Sequence, residues 1–418
     1  MSLIRLAFLS LLNRRGTAML TVFCIALSVA LLLSVEKVRN SARASFASTI
    51  SGTDLIVGAR AGDVQLLLYS VFRIGDATNN ITWESYQEIA ERSEIEWIVP
   101  MSLGDSHRGY RVVGTTPDFF EHYQYRKDRS LRFASGAAFD DLFDAVIGAD
   151  VAEALGYEVG SPLIVAHGTG TTGSGHENRP FRVSGILERT GTPVDKAVHV
   201  SLEAIEAIHV DWRSGARVEA LDIPEERVRA MDLTPETVTA VLVGLKSRLQ
   251  AFRFQRFINE YEQEPLTAIL PGVALTRLWS LIGVAERALA VVSIMVVFTA
   301  LVGLVSTLLA SLQERRREMA ILRANGARPL HIAGLLITES GLLTLLGAIA
   351  GFTLVYASLI GLTPWINDRY GLSLEIEYPS TYELTILGSI VVAGFIAGLI
   401  PAWKAYRTSL ADGMTVRS

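Results

Sequence analysis

Residues with chemical potential are sparse in this chain, and their spacing excludes most catalysis. A nucleotide-binding loop needs glycines followed by Lys and Ser/Thr, because its backbone amides and lysine cradle phosphates. The sequence has no Gly-Lys dipeptide, so it carries no P-loop. HExxH, CxxC and GxSxG are also absent. That removes the usual zinc-protease, thiol-redox and serine-hydrolase constellations. The stretch 168–175 is glycine-rich but lacks a lysine and a strand–loop–helix frame, and reads as a hairpin tip. Six of the seven histidines (His107, His122, His167, His176, His199 and His209) fall in the middle of the chain. No two of them have the i, i+4 spacing of a helical metal site. His167 and His176 flank the glycine-rich stretch and could converge with His107; the reading adopted is of polar surface histidines, with no metal or cofactor assigned. Cys24 is the single cysteine and cannot form an internal disulfide. Net charge is −5, with no basic tract, which argues against nucleic acid as a partner.

The elements around these residues point to a membrane. Half of the 418 residues are hydrophobic, and mean hydropathy is +0.34. Four stretches lack Asp, Glu, Lys and Arg: 16–35, 288–313, 340–367 (whose helix is expected to start near His331) and 384–403. Each reaches the roughly 20 residues that a helix needs to cross the hydrocarbon core. Glu339, at the start of the third span, reads as a structural hydrogen-bonding group rather than a proton relay. The first apolar run is long for a signal peptide and reads as an uncleaved anchor. The preceding segment is amphipathic and would lie along the inner surface.

Lys and Arg in the short flanks set the orientation. Arg5, Arg14 and Arg15 precede the first span. Arg315, Arg316, Arg317, Arg323 and Arg328 lie between the second and third, and Lys404, Arg407 and Arg417 follow the fourth. The loop between the third and fourth spans has one arginine against four acidic residues, Asp368, Glu375, Glu377 and Glu383. Both termini are therefore expected in the cytoplasm, with a large domain outside between the first two spans.

The expected division runs as follows: an amphipathic helix over 1–15, the first span and a stalk helix over 16–50, and an outer α+β domain over 51–273 with an insertion near 120–180. A second stalk and span occupy 274–313, a cytoplasmic helix 314–330, and the third span 331–363. An outer loop over 364–383, the fourth span over 384–403 and a cytoplasmic tail over 404–418 complete the chain. In the outer domain, strands are expected at 97–100 and 110–114 with a turn near Gly104-Asp105. Further strands are expected at 145–148, 162–167 and 181–187, and helices at 150–155, 201–209 and 247–261.

The second cytoplasmic loop is the most informative segment. Glu314, Arg315, Arg316, Arg317, Glu318, Met319, Ile321, Leu322 and Arg323 make a short charged helix that stops at Gly326. Apolar residues among the charges suit a helix lying across the inner surface, offering Met319 and Leu322 to a partner's groove and its arginines to acidic rims.

This loop, with the run from Glu339 to Gly351 that follows, resembles the signature of one ABC-transporter permease family, that of the macrolide exporter, the lipoprotein-releasing permeases and the cell-division permease. The stretches 109–120 (GYRVVGTTPDFF) and 181–193 (FRVSGILERTGTP) are similar to its outer-domain motifs. The resemblance implies a bacterial inner-membrane complex of two permease chains, the second identical to the first, above two separate ATPase subunits. ATP and Mg would be bound on the partner ATPase, and this chain would not itself be an enzyme. The helix around 315–323 would couple ATP use to mechanical work by the outer domain, on a periplasmic adaptor or cargo protein or in export. Gly341, Gly347 and Gly351 would allow close helix packing in lipid.

Gln65, Leu66, Leu67, Leu68, Tyr69, Val71 and Phe72 fall outside the general pattern. They are apolar enough to line a cargo site or lie at the membrane interface; the alternative is packing against the stalk. Two other classes of protein fit this sequence less well. A membrane-anchored sensor would carry a larger cytoplasmic output domain, and a secondary transporter would need intramembrane charges and more spans.

Overall fold

The computed structural model describes residues 3–126, 129–167, 175–213, 216–217, 223–314, 316–324, 326–370 and 378–407. Arg315, the 168–174 loop, Glu375, Glu377 and the tail beyond Arg407 lie outside the described residues. Nine helices frame the regions of interest: α1 (Leu3–Asn13), α2 (Arg15–Ser48), α3 (Asp63–Ser70), α4 (Leu202–His209), α5 (Pro271–Glu314), α6 (Arg316–Ala324), α7 (Pro329–Tyr370), α8 (Thr381–Ala397) and α9 (Leu399–Arg407). The chain forms two compact units. One comprises 1–41, 283–365 and 374–418; the other comprises 42–282 and 366–373.

Among the described residues, four helical segments are long and apolar enough to cross a membrane: Arg15–Ser41, Pro271–Leu312, Pro329–Thr363 and Thr381–Arg407. They exceed the uncharged runs because helix continues past the last apolar residue. Ile25, Val29 and Leu33 of α2 meet Leu304 and Leu308 of α5, Leu343 and Val355 of α7, and Ile390 of α8 in one apolar cluster. Between apolar helices in lipid, association depends on close packing rather than on burial from water, and the glycines show this. A Cβ on Gly347 would lie 2.6 Å from Ile25, and one on Gly351 would lie 2.5 Å from the Ala26 carbonyl. On Gly341 it would lie 2.2 Å from the Phe395 ring. Glu339 is buried beside Ser340, whose hydroxyl donates to the Gly394 carbonyl at 2.7 Å.

The second unit is built on an 11-stranded sheet. In chain order its strands are β1 (Leu55–Ala59), β2 (Ile95–His107), β3 (Tyr110–Thr115), β4 (Phe133–Gly136), β5 (Asp144–Ile147), β6 (Pro162–Leu163), β7 (Ala166–His167), β8 (Phe181–Leu187), β9 (Ala197–Ser201), β10 (Ala240–Leu245) and β11 (Leu266–Ile269). Across the sheet the order is β11-β1-β10-β2-β3-β9-β5-β8-β4, with β7 on β2 and β6 on β8. Pairing is mixed: β3 with β9 and β5 with β8 run parallel, and the other neighbours antiparallel. The central strands β1, β5 and β10 are buried at every residue, as expected where both faces are covered. The described residues of 120–180 supply β4 to β7 of this sheet.

One difference from the sequence expectation matters for the site. β2 runs unbroken to His107, and the turn is at Arg108-Gly109, both at positive φ (48° and 88°). Leu103 pairs with Val113 and Ser106 with Arg111. Gly104 and Asp105 therefore stand opposite the single residue Val112, which makes a β-bulge rather than a turn.

The two stretches similar to family motifs are core-building. Phe119 and Phe120 are buried, with ring centroids 5.1 and 5.8 Å from the fully buried His199. In the second stretch, the buried Asp195 carboxylate accepts from the Thr190 and Gly191 amides at 2.8 and 2.6 Å and from the Thr190 hydroxyl at 2.8 Å. A Cβ on Gly148 would meet the Val194 carbonyl at 2.3 Å. Burial, with the Arg73 guanidinium as the nearby charge, pushes His199 down to about 3. The unfolded group titrates near 6.5, so between these values the unfolded state binds the extra proton and stability falls with falling pH. From pH 6.5 to 5 this group alone removes about 2 kcal/mol. His199→Leu should make the denaturation midpoint of the purified chain fall less steeply with pH by that amount; equal slopes would mean that His199 is charged in the fold.

Candidate functional site

The bulge in β2 turns Asp105 towards three histidines. β7 pairs with β2 so that His167 stands opposite Asp105, and His167 Nδ1 lies 3.0 Å from Asp105 Oδ1. An isolated bridge between Ala166 and Gly175 brings the chain back, delivering His176. α4, capped by the Ser201 hydroxyl on the Ala204 amide, ends at His209. His209 Nδ1 donates to the Ile205 carbonyl at 2.6 Å, which leaves Nε2 as its lone-pair nitrogen. That Nε2 is 3.5 Å from His167 Nδ1 and 4.0 Å from Asp105 Oδ2.

One ring nitrogen from each of the three histidines lies within 4.8 Å of the others. The rings pack at centroid distances of 4.7, 4.8 and 5.1 Å, and Trp212 closes against His167 and His176 at 4.4 and 4.5 Å. His176 is fully buried, and burial with its two neighbouring histidines lowers it to about 4. It is therefore neutral at physiological pH. A cleft of about 270 Å³, lined by Gly104, Asp105, His167, Ile205 and His209 among others, opens onto the group.

The surface reading of the histidines is therefore corrected. His107, His176 and His199 are buried at 3, 0 and 0 % exposure. His209, not His107, joins His167 and His176. His107 instead pairs with the Ile164 carbonyl at 2.6 Å and the Tyr157 hydroxyl at 3.0 Å. His122 stacks on Trp97. The usable sequence signal was the loop itself, because a hairpin tip brings its two flanks together; the contribution of α4 is long-range and left no local trace.

In the first unit, α6 covers most of the loop singled out above. Met319 is half-buried and packs on the cluster of Leu312, Ile332, Leu336, Ala402 and Ala405. Arg323 donates to the Ala405 carbonyl at 3.0 Å, which ties α6 to α9. Ile321 is 54 % exposed, and Glu318 and Gly326 are also exposed. The side chains of Glu314, Arg316, Arg317 and Leu322, like Arg315, lie outside the described residues.

The stretch considered for cargo is core. Leu66 and Leu67 are fully buried, and Tyr69, Val71 and Phe72 are 2, 4 and 8 % exposed. All five join the cluster on one face of the sheet, with Leu68 packed against it. A Cβ on Gly58 of β1 would lie 2.6 Å from Leu66 and 2.7 Å from the Tyr69 hydroxyl. Gln65 alone is exposed. The Phe72 ring lies 4.8 Å from that of Phe46 at the end of α2, so the packing alternative describes this stretch.

Sequence reasoning missed an ionic contact among the spans. Lys37 Nζ of α2 lies 3.1 Å from Glu383 Oε1 of α8, and the Tyr356 hydroxyl of α7 donates to Glu383 Oε2 at 2.8 Å. Charges at the ends of apolar runs were read as flanks, but they lock three helices together.

Four apolar spans with a large mixed α/β unit define a membrane protein with an extracytoplasmic domain. The FtsX-like permease C-terminal model matches residues 290–410, and the MacB-like periplasmic core domain model matches 18–223. The macrolide export ATP-binding/permease protein MacB of Nitrobacter winogradskyi is 25 % identical, with 96 % of this chain and 58 % of that protein covered. The lipoprotein-releasing system transmembrane protein LolC of Xylella fastidiosa is 24 % identical over 65 % of this chain and 64 % of that one. The periplasmic region of MacB from Actinobacillus actinomycetemcomitans superposes on 55 % of this chain and 94 % of that structure, with a TM-score of 0.35 and 10 % identity. The chain thus spans about three fifths of the length of these two curated relatives. The chain belongs to the ABC-transporter permease family that joins an FtsX-like permease domain to a MacB-like periplasmic core.

Proposed function

We propose that this chain is the permease component of an ATP-driven complex, working in pairs with a partner ATPase that binds ATP and Mg. Its termini and α6 would face the cytoplasm, by the distribution of Lys and Arg. ATP use below would drive conformational work or export by the outer unit, in a bacterial inner membrane, on a cargo or adaptor outside. The relatives named above are labelled for a macrolide and for lipoproteins, so the shared architecture supports a shared drive rather than a shared cargo.

The observation that carries this reading is α6. It is a short charged helix between the second and third spans, held from within by Met319 and by the Arg323–Ala405 hydrogen bond, and it leaves Ile321 outward. A helix anchored on one face and apolar at an exposed point suits docking in a partner's groove. In detergent extracts an ATPase should co-purify with the wild-type chain and be lost from Ile321→Glu, with thermal stability unchanged. Met319→Ala should instead lower stability by about 2–5 kcal/mol at most, as core truncations do. No ATPase with the wild type, under conditions that preserve complexes, would turn the reading towards a membrane-anchored sensor.

A further inference from the structure

We propose that His167, His176 and His209 of the outer domain bind one divalent transition-metal ion of the zinc type, with Asp105 supporting the site. The inference does not depend on coupling to an ATPase. It rests on where ring nitrogens lie and on which of them lack partners.

Buried polar atoms are nearly always hydrogen-bonded, and each exception calls for an explanation. Within this cluster, His176 has both ring nitrogens buried without a hydrogen-bond partner, and His167 Nε2 is buried without one too. Three imidazoles packed edge against face are a poor apolar core, because each carries a lone pair that needs a donor. Protonating them would set like charges against one another. A cation among them resolves both problems.

The supporting groups are those a metal site requires. Ligating histidines usually give their other ring N–H to a carboxylate or a backbone carbonyl, which fixes tautomer and orientation. His209 does this with the Ile205 carbonyl. Asp105, aimed by the bulge, stands 3.0 Å from His167 Nδ1 and supplies negative charge beside the ion. Three imidazoles select zinc, copper, nickel or iron over magnesium and calcium, which prefer oxygen ligands. Entry is through the cleft beside Asp105 and His209, where the His167 and His209 side chains are each 31 % exposed.

The test uses the full chain, purified in detergent without a histidine tag, stripped with a chelator, and titrated with Zn2+ against a chromophoric competitor. One equivalent should bind, with no displacement by Mg2+ or Ca2+. Co2+ in its place should give the visible absorption of a nitrogen-ligated site. His209→Ala, at a partly exposed position, and His176→Gln should lose both signals, and Asp105→Asn should bind roughly 10–100-fold more weakly. His122→Ala should bind as the wild type does. Less than one equivalent in the wild type overturns the proposal, as does binding that survives His209→Ala and His176→Gln. If His176→Gln fails to fold, His209→Ala and the wild-type Co2+ spectrum decide.

Discussion

Arg179→Met should destabilise the outer unit by about 3–5 kcal/mol, among the largest effects open to a single substitution in it. Arg179 is 2 % exposed and its partner Asp211 is fully buried, 2.8 Å away. The same guanidinium nitrogen donates to the Ala207 carbonyl at 2.8 Å, and Asn178 donates to the other Asp211 oxygen at 3.1 Å. Methionine fills much of the volume but removes the guanidinium that faces the buried carboxylate, and the loss of that pairing dominates the cost. Arg179→Met/Asp211→Leu should recover much of the loss, because the costly group goes with its partner. Each member of the pair also lies just after one of the clustered histidines in sequence. Asn178 and Arg179 follow His176, and Asp211 follows His209, so the single variant should also weaken Zn2+ binding. Chemical denaturation monitored in the near-ultraviolet decides the first point. A loss under 1 kcal/mol would mean that water reaches Asp211 and that the pair contributes little.

What could be read from the sequence follows the range of the forces involved. The four spans were legible because exclusion of charge from hydrocarbon is a local rule, visible residue by residue in 16–35 or 384–403. The helix at 201–209, α4, was legible because its pattern is also local, whereas its Ser201 cap was shown only by the structure. Gly104-Asp105 was not, since a turn and a bulge use the same residues; what separates them is which residue of β3 stands opposite, a fact about another strand. The apolar run from Leu66 to Phe72 has the composition of a membrane-interface helix and of a core helix alike, and only the sheet beneath it decides. The apolar surface that Met319 packs on was not legible, because it is assembled from the ends of α5, α7 and α9, far apart in sequence. The histidine cluster joins positions 105, 167, 176 and 209, and no periodicity links them.

In the membrane unit the decisive test is steric. Gly394→Val should lower the stability of the four-helix unit by about 1–3 kcal/mol, the range for overpacking a close contact, while Gly388→Val in the same helix should be neutral. A Cβ at Gly394 would lie 2.1 Å from Thr344 Oγ1 and 2.5 Å from its Cβ, and the Gly394 carbonyl accepts from the Ser340 hydroxyl. Neither contact can be kept if α8 moves off α7. A Cβ at Gly388 meets nothing within 4 Å. Valine is β-branched in both variants, so its helix propensity cancels in the comparison and the difference reports packing alone. Resistance to unfolding in detergent measures it. Equal losses would show that glycine serves α8 through flexibility rather than contact. If Gly388→Val leaves the isolated chain stable but prevents two chains from pairing, the open face at Gly388 is where the second permease packs, and the small residues of α8 serve one interface within the chain and another between chains.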